Sequence, residues 1–334
     1  MIFHSPRELN LTSENMGQAL IRYEYDSQIG WGLLTGDRVT PLEGSYPDLD
    51  AVLEQGDAAI EAAVAADPMT GLERSAVTIL APATAPAKIL CQSPNFKEED
   101  AEKEKKAPHS FFIRKDDSSL GPATGEIHLP EGRYLIEGSV TLGLVIGKEI
   151  FRPMEVTEEN IHEFVKGWII CTDLMARDQF AREDSNQLYQ SKSYRGFCPT
   201  GPIVFLPSAD DWKLLNQMEM RMWVNNELKE ENFTRLWRQH PAQSLTELSK
   251  VIDLAAGDLL LTGGSPISNV SPPTGMIQRI GGLLFSEEKR MSAFFQSLAK
   301  EGNYLQKGDS IRTTITSADG TISLGEQRYS IATS

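Results

Sequence analysis

The run KEEDAEKEKK, residues 97–106, sets Glu99 and Glu102 three positions apart. On a helix that spacing puts both carboxylates on one face, where mutual repulsion raises the pKa of one of them. Such a pair can work as general acid and base. The run is also almost wholly charged, and in its plainest reading it is a solvated helix face or loop. A second constellation lies in YLIEGSVTLGLVIGK, residues 134–148. Residues two apart on a strand project from one face, so Ser139 and Thr141 address a common point, with Glu137 on the same side about 6–7 Å further back. Hydroxyls there can hydrogen-bond a ligand. They bring no negative charge to hold a hard divalent cation, which is bound by carboxylate oxygens.

The other reactive residue types are dispersed. His4, His109, His128, His162 and His240 show no H-x-x-x-H spacing, so nothing supports a zinc site. His109 follows the charged run and is a candidate replacement base. Cys91, Cys171 and Cys198 are odd in number and form no C-x-x-C, which supports neither a disulfide framework nor a zinc knuckle and favours a reducing cytoplasm. Cys198 has no evident histidine partner to make it a nucleophile.

The elements that must position these residues fall into two regions. Residues 1–85 form a small N-terminal α+β domain. IRYEYDSQIGWGLLTGDRVTPL alternates around a Gly-Asp turn, a hairpin signal. DLDAVLEQGDAAIEAAVAA has apolar residues at helical spacing, and LAPATAPAK is a linker. Residues 86–334 carry many short apolar segments broken by Gly, Pro and Asp: KILCQ, VTLGLVIG, GWIICTD, GPIVFL, MRMWVNNE, DLLLTGG and DSIRTTI. Few helices separate them, so this domain is mostly β with some α and not a βαβ array. Helices are expected over residues 157–166, 243–252 and 286–300. The last follows a Pro- and Gly-rich stretch within 268–302, which could cover a pocket or extend a dimer contact.

With 334 residues the chain has ample core for a large and a small domain. Its net charge of −15, without a basic stripe, argues against nucleic acid as a partner. No apolar run approaches the ~18 residues of a membrane span, and MIFHSPRELN lacks the features of a secretory signal. The expectation is a cytoplasmic protein with a small-molecule substrate and no membrane partner.

GWIICTDLMARDQ, residues 167–179, resembles the G-Y-T-x-x-N-D-V-S-A-R-D segment of the fumarylacetoacetate hydrolase superfamily. PNFKEEDAE, SLGPATGEIHLP, TLGLVIGKEI, KSYRGFCPTGP, WVNNEL, AAGDLLLTGGSP and YLQKGDSIRTTI extend the likeness in order over about residues 88 to 315. The resemblance implies a β-roll of mixed sheets, usually dimeric, with a divergent N-terminal region. Relatives commonly use Mg²⁺ or another divalent ion to hold a 2-oxo carboxylate or 1,3-dicarbonyl compound. The ion stabilises the enolate of a C–C hydrolysis, decarboxylation, hydration or tautomerisation.

The family pattern D-Y-E-x-E-L before V-I-G places its two metal-binding glutamates at Ser139 and Thr141, and the aspartate of N-D-V-S-A-R-D at Asp173. One carboxylate of three remains. The lid pattern N-Y-x-x-H-x-x-E falls on Asn95 and Phe96, with Glu99 for the histidine and Glu102 for the glutamate. Lys192 and Ser193 match the K-S of K-S-F-D-T-F-x-P-x-G-P, with Tyr194 for Phe and Arg195 for Asp. Lys192 is then a point charge for a developing enolate. Arg177 matches A-R-D as a substrate contact or structural ion pair. Thr262 and Gly263 match a turn that can bind a substrate carboxylate through backbone N–H groups. Lys115 falls near a lysine that some relatives place before proline, in a register that Arg114 leaves open.

The reading is therefore an enzyme acting on an enolisable 2-oxo carboxylate or 1,3-dicarbonyl compound by metal-independent isomerase, cyclase or lyase chemistry. Its catalytic residues are Lys192, Asp173, Glu99 and Glu102. Arg177, Tyr194, Thr262, Gly263, Ser139 and Thr141 bind substrate. No cofactor is required, Mg²⁺ at Asp173 remains open, and a homodimer is expected. The alternatives are a Mg²⁺-dependent hydrolase, decarboxylase or tautomerase, and a non-catalytic small-molecule-binding descendant.

Overall fold

The apolar run ending at Gly147 forms the longest fully buried strand, Ile136–Ile146, in which every residue is shielded from solvent. It lies inside a computed structural model that describes residues 17–97, 111–180, 186–264 and 304–333. Glu99, Glu102, His4, His109 and the 268–302 segment, with its expected helix, lie outside the described residues.

In chain order the strands are β1 (Gln18–Tyr25), β2 (Gln28–Thr35), β3 (Arg38–Pro41), β4 (Leu72–Glu73), β5 (Thr78–Leu80), β6 (Ile89–Ser93), β7 (Phe111–Lys115), β8 (Leu120–Gly121) and β9 (Thr124–Leu129). There follow β10 (Ile136–Ile146), β11 (Val165–Ala176), β12 (Cys198–Leu206), β13 (Met218–Val224), β14 (Glu227–Phe233), β15 (Leu259–Leu261), β16 (Ser310–Ser317) and β17 (Ser323–Thr333). The helices are short: α1 (Leu49–Gln55), α2 (Asp57–Ala65), α3 (Arg177–Phe180), α4 (Asn186–Lys192) and α5 (Pro241–Leu248).

The architecture is mostly β with some α, in two mixed sheets. The larger has the order β4-β3-β2-β1-β12-β11-β10-β15-β6-β7, with β5 on β1 and β8 on β12, and the smaller has the order β14-β13-β16-β17-β9. β1 pairs with β12, so the large sheet continues across residue 85. The chemistry-bearing strands β10 and β11 are antiparallel neighbours, in register from Ile136↔Ala176 through Ser139↔Asp173 to Val145↔Gly167.

Both faces of β10 are covered, which is why the strand tolerates so few polar residues. Val140, Leu142 and Leu144 join a core with Met218, Met220 and Met222 of the small sheet. On the other face, Val145 packs in a core that includes Leu49, Val52 and Leu53 of α1. Gln327 of β17 ties the sheets together. Its Oε1 accepts from Thr172 and Thr313, and its Nε2 donates to the carbonyls of Ile170, Pro199 and Gly201. A buried amide is tolerated there because its polar atoms are satisfied.

Three helical expectations change. The helix over residues 48–66 is two helices, divided at Gly56, whose N–H caps Val52 at 2.8 Å. A Cβ at Gly56 would stand 2.4 Å from that carbonyl, so the close approach requires glycine. Residues 157–166 do not form an α-helix. Asn160 Oδ1 accepts the Thr157 N–H at 2.8 Å, closing a turn that leads to a three-residue 3₁₀ helix, Ile161–Glu163, before β11 begins at Val165. α5 starts at Pro241, earlier than expected, because His240 caps it by accepting the Ala242 N–H.

Candidate functional site

Asp173 of β11 is held between two lysines from different parts of the chain. Lys115, the last residue of β7, donates to Oδ1 at 2.6 Å. Lys192, the last residue of α4, donates to Oδ2 at 2.6 Å. The Lys115 ammonium is fully buried and also donates to the carbonyls of Leu174 and Phe197, at 3.0 and 2.7 Å. Three acceptors satisfy its three donors, which is the condition for burying such a charge.

The charges are coupled. Burial by itself would raise the Asp173 carboxyl pKa, but Lys115 and Lys192 outweigh it and hold the group well below the usual carboxylate range. Burial would lower the Lys192 pKa, but the Asp173 charge prevails and raises it, so Lys192 is an ammonium. Two cations around one anion leave a net positive centre. Cys91 and Cys171 are buried close by, and burial pushes both thiols up. They behave as small hydrophobes.

Asp173 and Lys192 border a cavity of about 130 Å³, well below the roughly 300–1,000 Å³ of drug-sized sites. Ser139 faces Asp173 across the strand pair, and among the described residues Gln92, Ser93, Glu137, Gly138 and Gly264 supply the rest of the polar and backbone lining. Phe111, Ile113, Met175 and Leu188 form its apolar wall. Gly264 approaches so closely that a Cβ would lie 2.7 Å from Ser139 Oγ and from the Val140 carbonyl.

Of the residues singled out in the sequence, Asp173, Lys192 and Ser139 come together at the cavity. Thr141 lies one alternation deeper, fully buried opposite Cys171. Arg177 pairs with Glu137, its Nη1 lying 3.0 Å from both carboxylate oxygens. Tyr194 packs against Phe197, and its hydroxyl donates to Gln179. Thr262 gives both its N–H and its hydroxyl to the Leu142 carbonyl, and its own carbonyl accepts from Asn95. The turn beside it has φ +95° at Gly263 and delivers Gly264 to the cavity.

Sequence reasoning left the role of Lys115 open, and it left out the apolar wall. The apolar start of FFIRK suits a strand, but the placement of its terminal lysine against Asp173 depends on how the sheet is folded.

The resemblance assigns a divalent ion to Ser139, Thr141 and Asp173, and these residues do not fit one. Both oxygens of Asp173 accept from ammonium groups at 2.6 Å, Ser139 and Thr141 are neutral, and Glu137 is engaged by Arg177. A hard cation needs several free oxygen ligands with compensating charge. Among the described residues no group of three or more His, Cys, Asp or Glu is placed to hold a metal.

Comparison with known proteins gives a consistent picture. The family model described as fumarylacetoacetate (FAA) hydrolase C-terminal matches residues 88–331. The mitochondrial oxaloacetate tautomerase fahd2 of Xenopus laevis is 28% identical over 246 residues, covering 72% of this chain and 76% of that protein. Fumarylacetoacetate hydrolase domain-containing protein 2 of Pongo abelii is 30% identical over 217 residues, covering 64% and 68%. In fold, the chain is similar to the solved fumarylacetoacetate hydrolase of Exiguobacterium antarcticum, with a TM-score of 0.71 at 22% identity over 95% of this chain and 100% of that one.

Proposed function

The chain belongs to the fumarylacetoacetate hydrolase family, and we propose that it is an enzyme that interconverts keto and enol forms of a small 2-oxo dicarboxylate, of which oxaloacetate is the type, without a metal ion. The observation that carries this reading is the pair of ammonium groups on Asp173 beside the cavity. Similarity to an oxaloacetate tautomerase supports the substrate class.

When the proton leaves C3, the electron pair collects on the 2-oxo oxygen. A fixed ammonium in a site with little water stabilises that charge without reorganising. Lys192 donates a hydrogen bond to the enolate oxygen and remains an ammonium, while the proton that completes the enol comes from water, to which the base gives up the carbon proton. Asp173 keeps Lys192 protonated and aimed, and Lys115 balances Asp173 from the buried side. A lysine held as an ammonium cannot attack a carbonyl, so the chemistry is electrostatic and not imine formation. Glu99 and Glu102 are assigned the removal of the carbon proton. Decarboxylation of the same acid breaks C3–C4 instead of C3–H and releases CO₂, leaving the enolate of the shorter acid with its charge on the same 2-oxo oxygen, so a lyase activity would use Lys192 in the same way.

The test is the ultraviolet absorbance of enol-oxaloacetate followed during tautomerisation, with and without a chelator. Turnover that persists in chelator and falls in Lys192→Met supports the proposal. Activity abolished by chelator and restored by Mg²⁺ would establish the metal-dependent reading in its place. We further propose a homodimer, checked by light scattering, and a cytoplasmic location, which suits three buried free cysteines.

A further inference from the structure

The two ammonium groups reach Asp173 from elements far apart in sequence, so their spacing has to be set by contacts between those elements. Lys115 is locked by three acceptors. Lys192 is carried by α4, a helix of only seven residues, too short to hold its own position. Asp116, the residue after Lys115, reaches that helix once and the residue just after it once. Its Oδ2 accepts from the Tyr189 hydroxyl at 2.6 Å, and its backbone N–H donates to Ser193 Oγ at 3.1 Å. Tyr189 and Ser193 bracket Lys192 in the chain. The other carboxylate oxygen is aimed by Ser118, whose N–H and hydroxyl donate to Oδ1 at 3.0 and 2.6 Å.

We propose that Asp116 and Tyr189 are positioning residues, a clasp between β7 and α4 that sets Lys192 against Asp173 at the separation the reaction uses. Its consequence for turnover rests on the lysine-based reading above. The clasp itself does not. Hydrogen bonds from Ser118 and Tyr189 bring the Asp116 carboxyl down to about 2, so the acceptor is ionised under ordinary conditions. A charged acceptor makes the stronger hydrogen bond. Loss of the Tyr189 hydroxyl removes the side-chain tie to the middle of α4 and leaves Lys115 with all its acceptors.

The experiment uses the full chain with Tyr189→Phe and, as a second variant, Asp116→Ala. Reaction of each lysine with acetic anhydride is mapped by mass spectrometry, and turnover of oxaloacetate is measured in parallel. The expected result is acetylation of Lys192 accelerated several-fold with Lys115 unchanged. A kcat about tenfold lower accompanies it, since a displacement near 1 Å can cost up to about 10². Unchanged Lys192 labelling in both variants overturns the clasp, and so does an equal rise at Lys115 and Lys192, which is general loosening. Faster Lys192 labelling with unaltered kcat upholds the clasp and sinks the catalytic role of Lys192 instead.

Discussion

Lys192 Nζ and Asp173 Oδ2 lie 2.6 Å apart, in an ion pair that is nearly buried and yet borders the cavity. That combination separates it from an ordinary surface pair, which contributes little. In a site with little water the ammonium keeps its field, and the carboxylate keeps the ammonium charged. Lys115 takes the opposite oxygen from the protein side, so loss of either lysine has a different result.

Lys192→Met removes the cation that borders the cavity and that the proposed reaction sets against the enolate. Steady-state kinetics should show kcat reduced about 10²- to 10³-fold, the usual effect of losing one oxyanion donor. Melting temperature should change less than in Asp173 variants, because Asp173 retains Lys115.

Asp173→Asn leaves two buried ammonium groups without their counter-ion. Urea unfolding should show a loss of about 3–5 kcal/mol, the range for breaking a buried pair from one side. Stability equal to the parent protein would mean that the cluster contributes far less than its burial implies.

The pH dependence of stability follows from the two shifts. The depressed Asp173 pKa contributes stability that is fully present above about 3.9, the unfolded value, and is lost as pH falls towards its lower folded value. The raised Lys192 pKa contributes stability that is present below about 10.4 and is lost as pH rises through its higher folded value. Calorimetry should find this cluster's contribution level between roughly pH 4 and pH 10.

Gly264→Ala would place a Cβ 2.7 Å from Ser139 Oγ and the Val140 carbonyl. One of these must move, at a cost of about 1–3 kcal/mol typical of overpacking. Thermal melting should register it, KM should rise, and Ser139→Gly in the same chain should recover only part, since the backbone oxygen remains.

Glu99→Gln and Glu102→Gln test the proton acceptor assigned from spacing. The residue that acts as base should lose kcat by about 10²-fold or more, with circular dichroism unchanged. Two fully active variants would return the charged run to a solvated surface and place the base elsewhere.

Much of this was legible in the chain itself. The alternation and apolar runs of residues 89–146 announce strands, because a buried strand tolerates few polar side chains. Motif order identified the family and pointed to Asp173 and Lys192. The two-residue spacing of Ser139 and Thr141 put both on one face, but their different depths, one at the cavity and one sealed opposite Cys171, belong to the packing. Helix signals at 157–166 misled because the side chain of Asn160 offers a competing local bond.

Family and strand content were thus written in residue order, since periodicity and motif spacing are local properties of a chain. That Lys115 and Lys192, 77 positions apart by their numbers (192 − 115), would close on opposite oxygens of Asp173 was settled only by the folded sheet. Coulomb energy depends on distance through space, and residue order leaves that distance free until the strands are paired.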